Sequence, residues 1–206
     1  KERPVNFAKI CIAEYNPLEC IKTNINGSNN VVQASIDANV KRVIALSTDK
    51  AVNPINLYGA TKLCSEKIFT NANAMSGLGT RFSVVRYGNV INSRGSIVPM
   101  VRNLKNENIK EVPLTDERMT RFFVKLNDAV IFVLKCLERM IKGEIFIPKM
   151  PSIKITKLIK AVYPQAKMKN IGIRPGEKIN ELLISGDESF NAYEFIDLFV
   201  ILPNNS

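Results

Sequence analysis

The segment RVIALSTDKAVNPINLYGATK, residues 42–62, limits the possible folds more than any other part of the chain. It opens with a short apolar run, Val43 to Leu46, between Arg42 and Ser47. A run of that length with a β-branched start and a polar stop reads as a buried strand. Asn53-Pro54 marks a turn. From Tyr58 a helical pattern runs through Leu63, Ile68, Phe69 and Ala72 to the stop signal Ser76-Gly77-Leu78-Gly79. Residues 81–86, RFSVVR, then read as a second strand. Two strands joined by a long helix predict a right-handed crossover in a parallel sheet.

The rest of the chain continues that alternation. Asn16-Pro17 predicts a helix start, with Asn as cap and Pro in the first turn. Ile21, Ile25, Val32 and Ile36 then fall near helical spacing, and Asn39 ends the helix. Gly27 lies inside it at a cost of about 1 kcal/mol against Ala, which predicts close approach to a strand or simple tolerance. Further helices are expected over 100–106, 128–141, 155–163 and 179–184. Strands are expected over 144–148 and 195–202, with a short strand ending at Arg174. In the 128–141 helix, Val130, Val133, Leu134, Leu137 and Ile141 are expected to face the core. Glu117 and Arg118 are expected to pair in a salt-bridged loop.

Composition removes several classes of function. The chain has 206 residues, enough for one domain or one and a half. No apolar run approaches the ~20 residues of a membrane span, and KERPVNFAKI is no signal sequence. Four scattered cysteines and no histidine argue for a reduced, cytoplasmic protein without a zinc site, and exclude any mechanism that needs histidine. The formal charge of +10 suits anionic partners such as nucleic acid, a membrane surface or a phosphorylated ligand. The basic residues are spread out, and no aromatic-basic interleaving supports nucleic acid.

Candidate chemistry gathers at strand ends. Tyr58 and Lys62 stand four apart, on one helix face. A free tyrosine keeps its proton to about pH 10, and a nearby ammonium lowers that value, which suits a general base for an alcohol. Ligands of parallel sheets bind beyond the carboxyl ends of the strands, where Ser47 to Lys50 and Tyr87 to Asn89 both fall. Arg174 before Pro175-Gly176 sits where a guanidinium can grip phosphate.

Ser47 to Lys62 resembles the catalytic segment of the extended short-chain dehydrogenase/reductase superfamily. More narrowly, it resembles the soluble, C5-inverting UDP-N-acetylglucosamine 4,6-dehydratases that begin bacterial pseudaminic acid synthesis. Thr48-Asp49-Lys50, where retaining relatives carry Thr-Asp-Glu, and Tyr58, where membrane-bound relatives carry Met, sharpen the match. Arg174-Pro175-Gly176-Glu177-Lys178 resembles the family's turn that contacts UDP. The resemblance runs from about Tyr15 to the end.

The resemblance implies an α/β fold: a partial Rossmann-like, doubly wound parallel sheet lacking its first strands, with a smaller C-terminal α/β substrate-binding domain. Residues 1–90 would belong to the NADP-binding part and 91–206 mainly to the UDP-sugar part, with segments near 122–148 returning to the sheet. No Gly-x-x-Gly-x-x-Gly loop for the cofactor pyrophosphate is present, so the chain resembles the later two-thirds of such an enzyme. Residues 7–9 echo a family turn only weakly, and Lys9 is given no role. NADP would lie against Leu46, Ser47, Tyr58, Lys62 and Tyr87. UDP-sugar would be held by Ser47, Thr48, Asn89, Arg94, Thr115, Arg121, Arg174, Pro175, Gly176 and Glu177.

As implied catalytic roles, Tyr58 deprotonates the C4 hydroxyl, Lys62 assists it, Lys50 is the base at C5 and Asp49 the acid at the C6 hydroxyl. No metal is implied, and a homo-oligomer is expected. A UDP-sugar 4-epimerase of the same superfamily, or a non-catalytic remnant that binds UDP-sugar or oligomerises, stays open beside this reading.

Overall fold

A computed structural model describes residues 9–77 and 79–203. The turn read at Phe7-Ala8, and Leu78 of the helix stop, lie outside the described residues. The chain begins with α1 (Lys9–Tyr15) and α2 (Pro17–Ile21), one π-helical turn (Lys22–Asn26) and α3 (Gly27–Asp37). Then come β1 (Arg42–Thr48), α4 (Leu57–Met75), β2 (Arg81–Tyr87), β3 (Asn89–Val90), α5 (Ile97–Asn106), β4 (Glu111–Leu114) and β5 (Thr120–Val124). The remainder is α6 (Leu126–Arg139), β6 (Ile145–Pro148), β7 (Ser152–Lys154), α7 (Ile155–Val162), β8 (Lys167–Asn170), β9 (Ala192–Glu194) and β10 (Leu198–Ile201).

The main sheet has the order β1-β2-β6-β10-β9. β1, β2 and β6 run parallel, and β10 is antiparallel to both β6 and β9. Alternate residues of each strand face opposite sides. Phe82, Val84, Ile145 and Ile147 pack with Val32 of α3 and with Phe69 and Ala72 of α4. Val85 and Phe146 pack with Cys136 and Met140 on the other side. Helices on both faces make the fold Rossmann-like and doubly wound. A third core, including Val101, Val112, Phe123 and Ile159, joins α5 and α7 to the small sheets β3-β5-β7 and β4-β8.

Several sequence expectations need correction. The helix beginning at Pro17 is not regular: the π turn inserts an extra residue before Gly27. The seam it forms with α4 is partly polar, with Asn24 Nδ2 donating to Thr61 Oγ1 at 3.0 Å and Ser28 Oγ lying 2.7 Å from Ser65 Oγ. A Cβ on Gly27 would meet only the Lys22 carbonyl at 3.6 Å, so this glycine is tolerated rather than required by a strand. Along α6 and just beyond it, Ala129, Cys136 and Met140 are buried and Val133 and Leu137 pack against that core as expected, whereas Val130, Leu134 and Ile141 are exposed. Only one side of α6 meets the sheet, and spacing alone does not say which apolar stripe that is.

Arg118 pairs with Asp116, not Glu117, through two bonds of 3.0 and 2.7 Å. The run 195–202 is no single strand: Phe195 N donates to the Leu198 carbonyl at 2.8 Å, closing a tight turn between β9 and β10. Residues 179–184 form no helix, and β8 ends at Asn170, so Arg174 follows a loop rather than a strand. The carbonyls a helix would use are taken by side chains. Arg121 donates to Lys178 O at 2.9 Å and Ile179 O at 3.0 Å, and Arg86 donates to Leu183 O at 2.8 Å.

Candidate active site

The register of β1 against β2 places Ser47 beside Arg86 and Thr48 beside Tyr87 at the carboxyl ends of both strands. Beyond them Asp49–Ala51 forms one 3-10 turn. Thr48 Oγ1 and Lys50 Nζ both donate to Asp49 Oδ1 at 2.9 Å. The Asp49 side chain is fully buried and that of Lys50 is 16% exposed.

Helix α4 starts at this turn. Its first N–H groups, orphaned in any helix, find side-chain acceptors: Leu57 N donates to Glu14 Oε1 at 2.6 Å and Gly59 N to the cap Asn56 Oδ1 at 2.7 Å. Asn56 Nδ2 donates to the Gly176 carbonyl at 2.7 Å, which ties the start of α4 to the Arg174 turn. A Cβ on Gly59 would collide with the Lys50 carbonyl and touch Pro54. Gly59→Ala is expected to lower stability by about 1–3 kcal/mol, read by urea unfolding, and to displace Lys50. Gly88 has the same function at the next strand end, where a Cβ would strike Phe122.

A cavity of 230 Å³ opens at these strand ends. Of the residues singled out by sequence, Lys50, Asn89, Thr115, Arg121, Arg174 and Glu177 line it together. Asn89 is oriented by donating to the Phe122 carbonyl at 3.2 Å. Thr115 Oγ1 donates to Met119 Sδ at 3.0 Å. Arg121 reaches the cavity while its guanidinium donates to the carbonyls of Thr120, Lys178 and Ile179, so it braces the cavity wall. The buried Oε2 atoms of Glu177 and Glu181 and the Ser96 Oγ have no hydrogen-bond partner among the described residues. Arg94 and Pro175 are exposed and outside the lining. Gly176, also outside it, is held by Asn56.

Tyr58 and Lys62 are not part of that lining. Burial, and next the Asp49 carboxylate, push the Tyr58 phenol above its usual value; Cys20 and Tyr87 add to this. The phenol is thus raised where the sequence predicted a lowering, and the causes are burial and neighbouring acidic groups. Lys62 Nζ donates to the Leu46 carbonyl at 2.8 Å. Burial also raises the Tyr87 phenol.

The nicotinamide end of a dinucleotide fits the β1 end of this site. Ser47 Oγ is buried with no hydrogen-bond partner among the described residues, and Lys62 and Leu46 line one shallow recess. Among the described residues no group of three metal-ligating side chains occurs.

Glu181 and Asn56 were not found by sequence reasoning, and Lys178 was read only as the end of the Arg174 turn, with no role of its own. Glu181 and Lys178 fall in or beside a stretch read as helix, and the Asn56 cap was obscured by the stronger turn signal at Asn53-Pro54. An asparagine three residues before Gly59 was the one local signal for that cap.

Comparison with known proteins agrees with this fold. The model of the polysaccharide biosynthesis protein family matches residues 6–203. The UDP-N-acetylglucosamine 4,6-dehydratase (inverting) of Campylobacter jejuni serotype O:2 is 58% identical over 194 residues, covering 94% of this chain. The chain spans 58% of that relative's length. The structure of Pen from Bacillus thuringiensis superposes with a TM-score of 0.90 at 38% identity, over 97% of this chain and 63% of Pen. DesIV, a dTDP-glucose 4,6-dehydratase from Streptomyces venezuelae with NAD and TYD bound, shares the fold: TM-score 0.77 at 18% identity, over 90% of this chain and 64% of DesIV.

Proposed function

As the chain belongs to the polysaccharide biosynthesis protein family, we propose that its site serves the 4,6-dehydration of UDP-N-acetylglucosamine with inversion at C5, using NADP. The observation that carries this reading is the Asp49–Lys50 pair. A carboxylate and an amine are in contact at 2.9 Å, largely buried at the mouth of a cavity that also contains Arg174. An epimerase needs no such pair.

A bound nicotinamide supplies reversible removal of hydrogen from C4 and its return to C6. The chain's own residues handle protons and position. Tyr58 takes the proton of the C4 hydroxyl. Ser47 and Thr48 hold the C4 oxygen, and Lys62 with Leu46 and Tyr87 meets the cofactor. With C4 a ketone the C5 hydrogen is acidic, and Lys50 takes it. The proton passes along the 2.9 Å contact to Asp49, which delivers it to the C6 hydroxyl as that group leaves as water. The C5 hydrogen and C6 hydroxyl together make up the water lost; as hydrogen returns to C6, a proton from solvent reaches C5 on the opposite face, which inverts C5 and balances the proton that Tyr58 took from the C4 hydroxyl. Arg174 grips the diphosphate, Asn89, Thr115 and Glu177 position the sugar nucleotide, and Arg94 reaches it from the rim. Residues 1–90 thus serve mainly the cofactor and 91–206 mainly the sugar nucleotide.

The test is mass spectrometry of UDP-N-acetylglucosamine incubated with the protein and NADP⁺ in deuterated water. The expected product has lost one water and carries one deuterium at C5. A product that keeps its water would instead indicate the epimerase, and unchanged substrate with intact binding would indicate a sugar-nucleotide-binding remnant.

A further inference from the structure

Glu181 is absent from the roles assigned so far, yet it occupies the wall of the cavity next to Lys50. Its side chain is 3% exposed. Oε1 lies 4.0 Å from Lys50 Nζ, and Oε2 lies 3.8 Å from Lys178 Nζ with no hydrogen-bond partner among the described residues. Lys178 is itself engaged, donating to the Val52 carbonyl at 2.6 Å. A buried carboxylate without a hydrogen bond is costly to keep charged. Lys50 has the converse difficulty. A base at C5 must present a free amine, but its Nζ faces two carboxylates, Asp49 and Glu181.

We propose that Glu181 is the proton partner of Lys50: the two share one proton, and filling the cavity with sugar nucleotide moves it from the Lys50 ammonium to the Glu181 carboxylate, leaving the amine that takes the C5 hydrogen. The inference rests on the dehydratase reading above. One N–H bond breaks on Lys50 and one O–H bond forms on Glu181, so the transfer needs no outside acid or base. The 4.0 Å gap closes by a small rotation of either side chain or through one bridging water. Ligand that expels water disfavours two separated charges and favours the neutral pair. The electrostatics agree in direction. Burial raises the Glu181 carboxyl above its usual value and Asp49 raises it further, while Lys50, Arg121 and Lys178 pull it down. Glu177 and Arg174 also line the cavity. Glu181 touches no reacting atom in this scheme and is a positioning residue acting through Lys50.

The decisive measurement is 13C NMR of the Glu181 carboxyl in the chain. Lys50→Gln should raise its titration midpoint, and UDP-N-acetylglucosamine should shift its signal toward the protonated position at pH 7. A midpoint indifferent to Lys50→Gln, or saturating sugar nucleotide that leaves Glu181 ionised, overturns the proton-sharing pair while leaving the dehydratase reading intact. Sugar nucleotide that does not bind overturns the dehydratase reading, and the Lys50→Gln titration still decides whether the two groups are paired. In turnover, Glu181→Gln should lower the rate at least tenfold and change the shape of its pH profile, with Glu181→Asp restoring the shape. An unchanged profile in a folded Glu181→Gln protein also overturns the proposal.

Discussion

Lys50→Ala should lower water loss from UDP-N-acetylglucosamine by about two to four orders of magnitude, the usual contribution of a positioned general base. Oxidation at C4 should survive in part, because Tyr58 and Lys62 lie outside the cavity that Lys50 lines. Substrate binding should change little, since the proposed diphosphate grip is Arg174, a different residue of the cavity lining. The measurement is the deuterium experiment run beside a titration with UDP-N-acetylglucosamine. Loss of C5 exchange with retained binding is the expected result, and full turnover of the variant would remove Lys50 from the mechanism. The variant also removes one donor to Asp49 Oδ1, leaving Thr48 Oγ1. The buried carboxylate keeps a partner, so the fold should persist.

The second large effect lies in the fold. Arg86 is fully buried in β2 between two carboxylates. It donates to Glu66 of α4 at 3.0 and 2.7 Å and to Glu188 at 3.0 and 2.7 Å. Burial alone would make its cation harder to keep, but the two carboxylates more than offset this and its pKa is raised. Removing one partner of a buried ion pair typically costs about 3–5 kcal/mol, because the remaining charge is stranded. Arg86→Met strands Glu66, which is nearly inaccessible, and should reach that range in urea unfolding.

Acid should act on the same cluster. For Glu188, burial would raise the carboxyl, but hydrogen bonds from Arg86 and Ser185 together lower it below its usual value. A lowered carboxyl stabilises the fold fully above its unfolded-state pKa, and that contribution is lost as pH falls through the folded value. Stability of the wild type should therefore fall below the carboxylate range, and the part due to Glu188 should vanish in Glu188→Gln.

What the sequence revealed follows the range of the interactions. Asp49 and Lys50 are adjacent in sequence, so their meeting was legible as spacing within one strand-turn-helix unit; the spacing of Tyr58 and Lys62 was legible too, but not the burial that raises the Tyr58 phenol. The alternation of runs such as RFSVVR with long helices was legible too, because a parallel sheet covered on both faces needs that pattern. The role of Arg86 was not, since Glu188 is 102 positions away and nothing in the residues around Arg86 points to it. Glu181 was hidden for a related reason: its segment has a helical pattern that tertiary hydrogen bonds override. The exposed stripe of α6 misled because both of its apolar stripes have helical spacing.

The irregular path of residues 178–183 has a practical consequence. Its carbonyls are held by Arg121 and Arg86, which belong to β5 and β2. Instructions for that wall of the cavity are thus written elsewhere in the chain, in two guanidinium groups. Transplanting the segment alone into another scaffold should release it to the helix its own residues favour. A graft that brings both arginines with their strands should keep the shape.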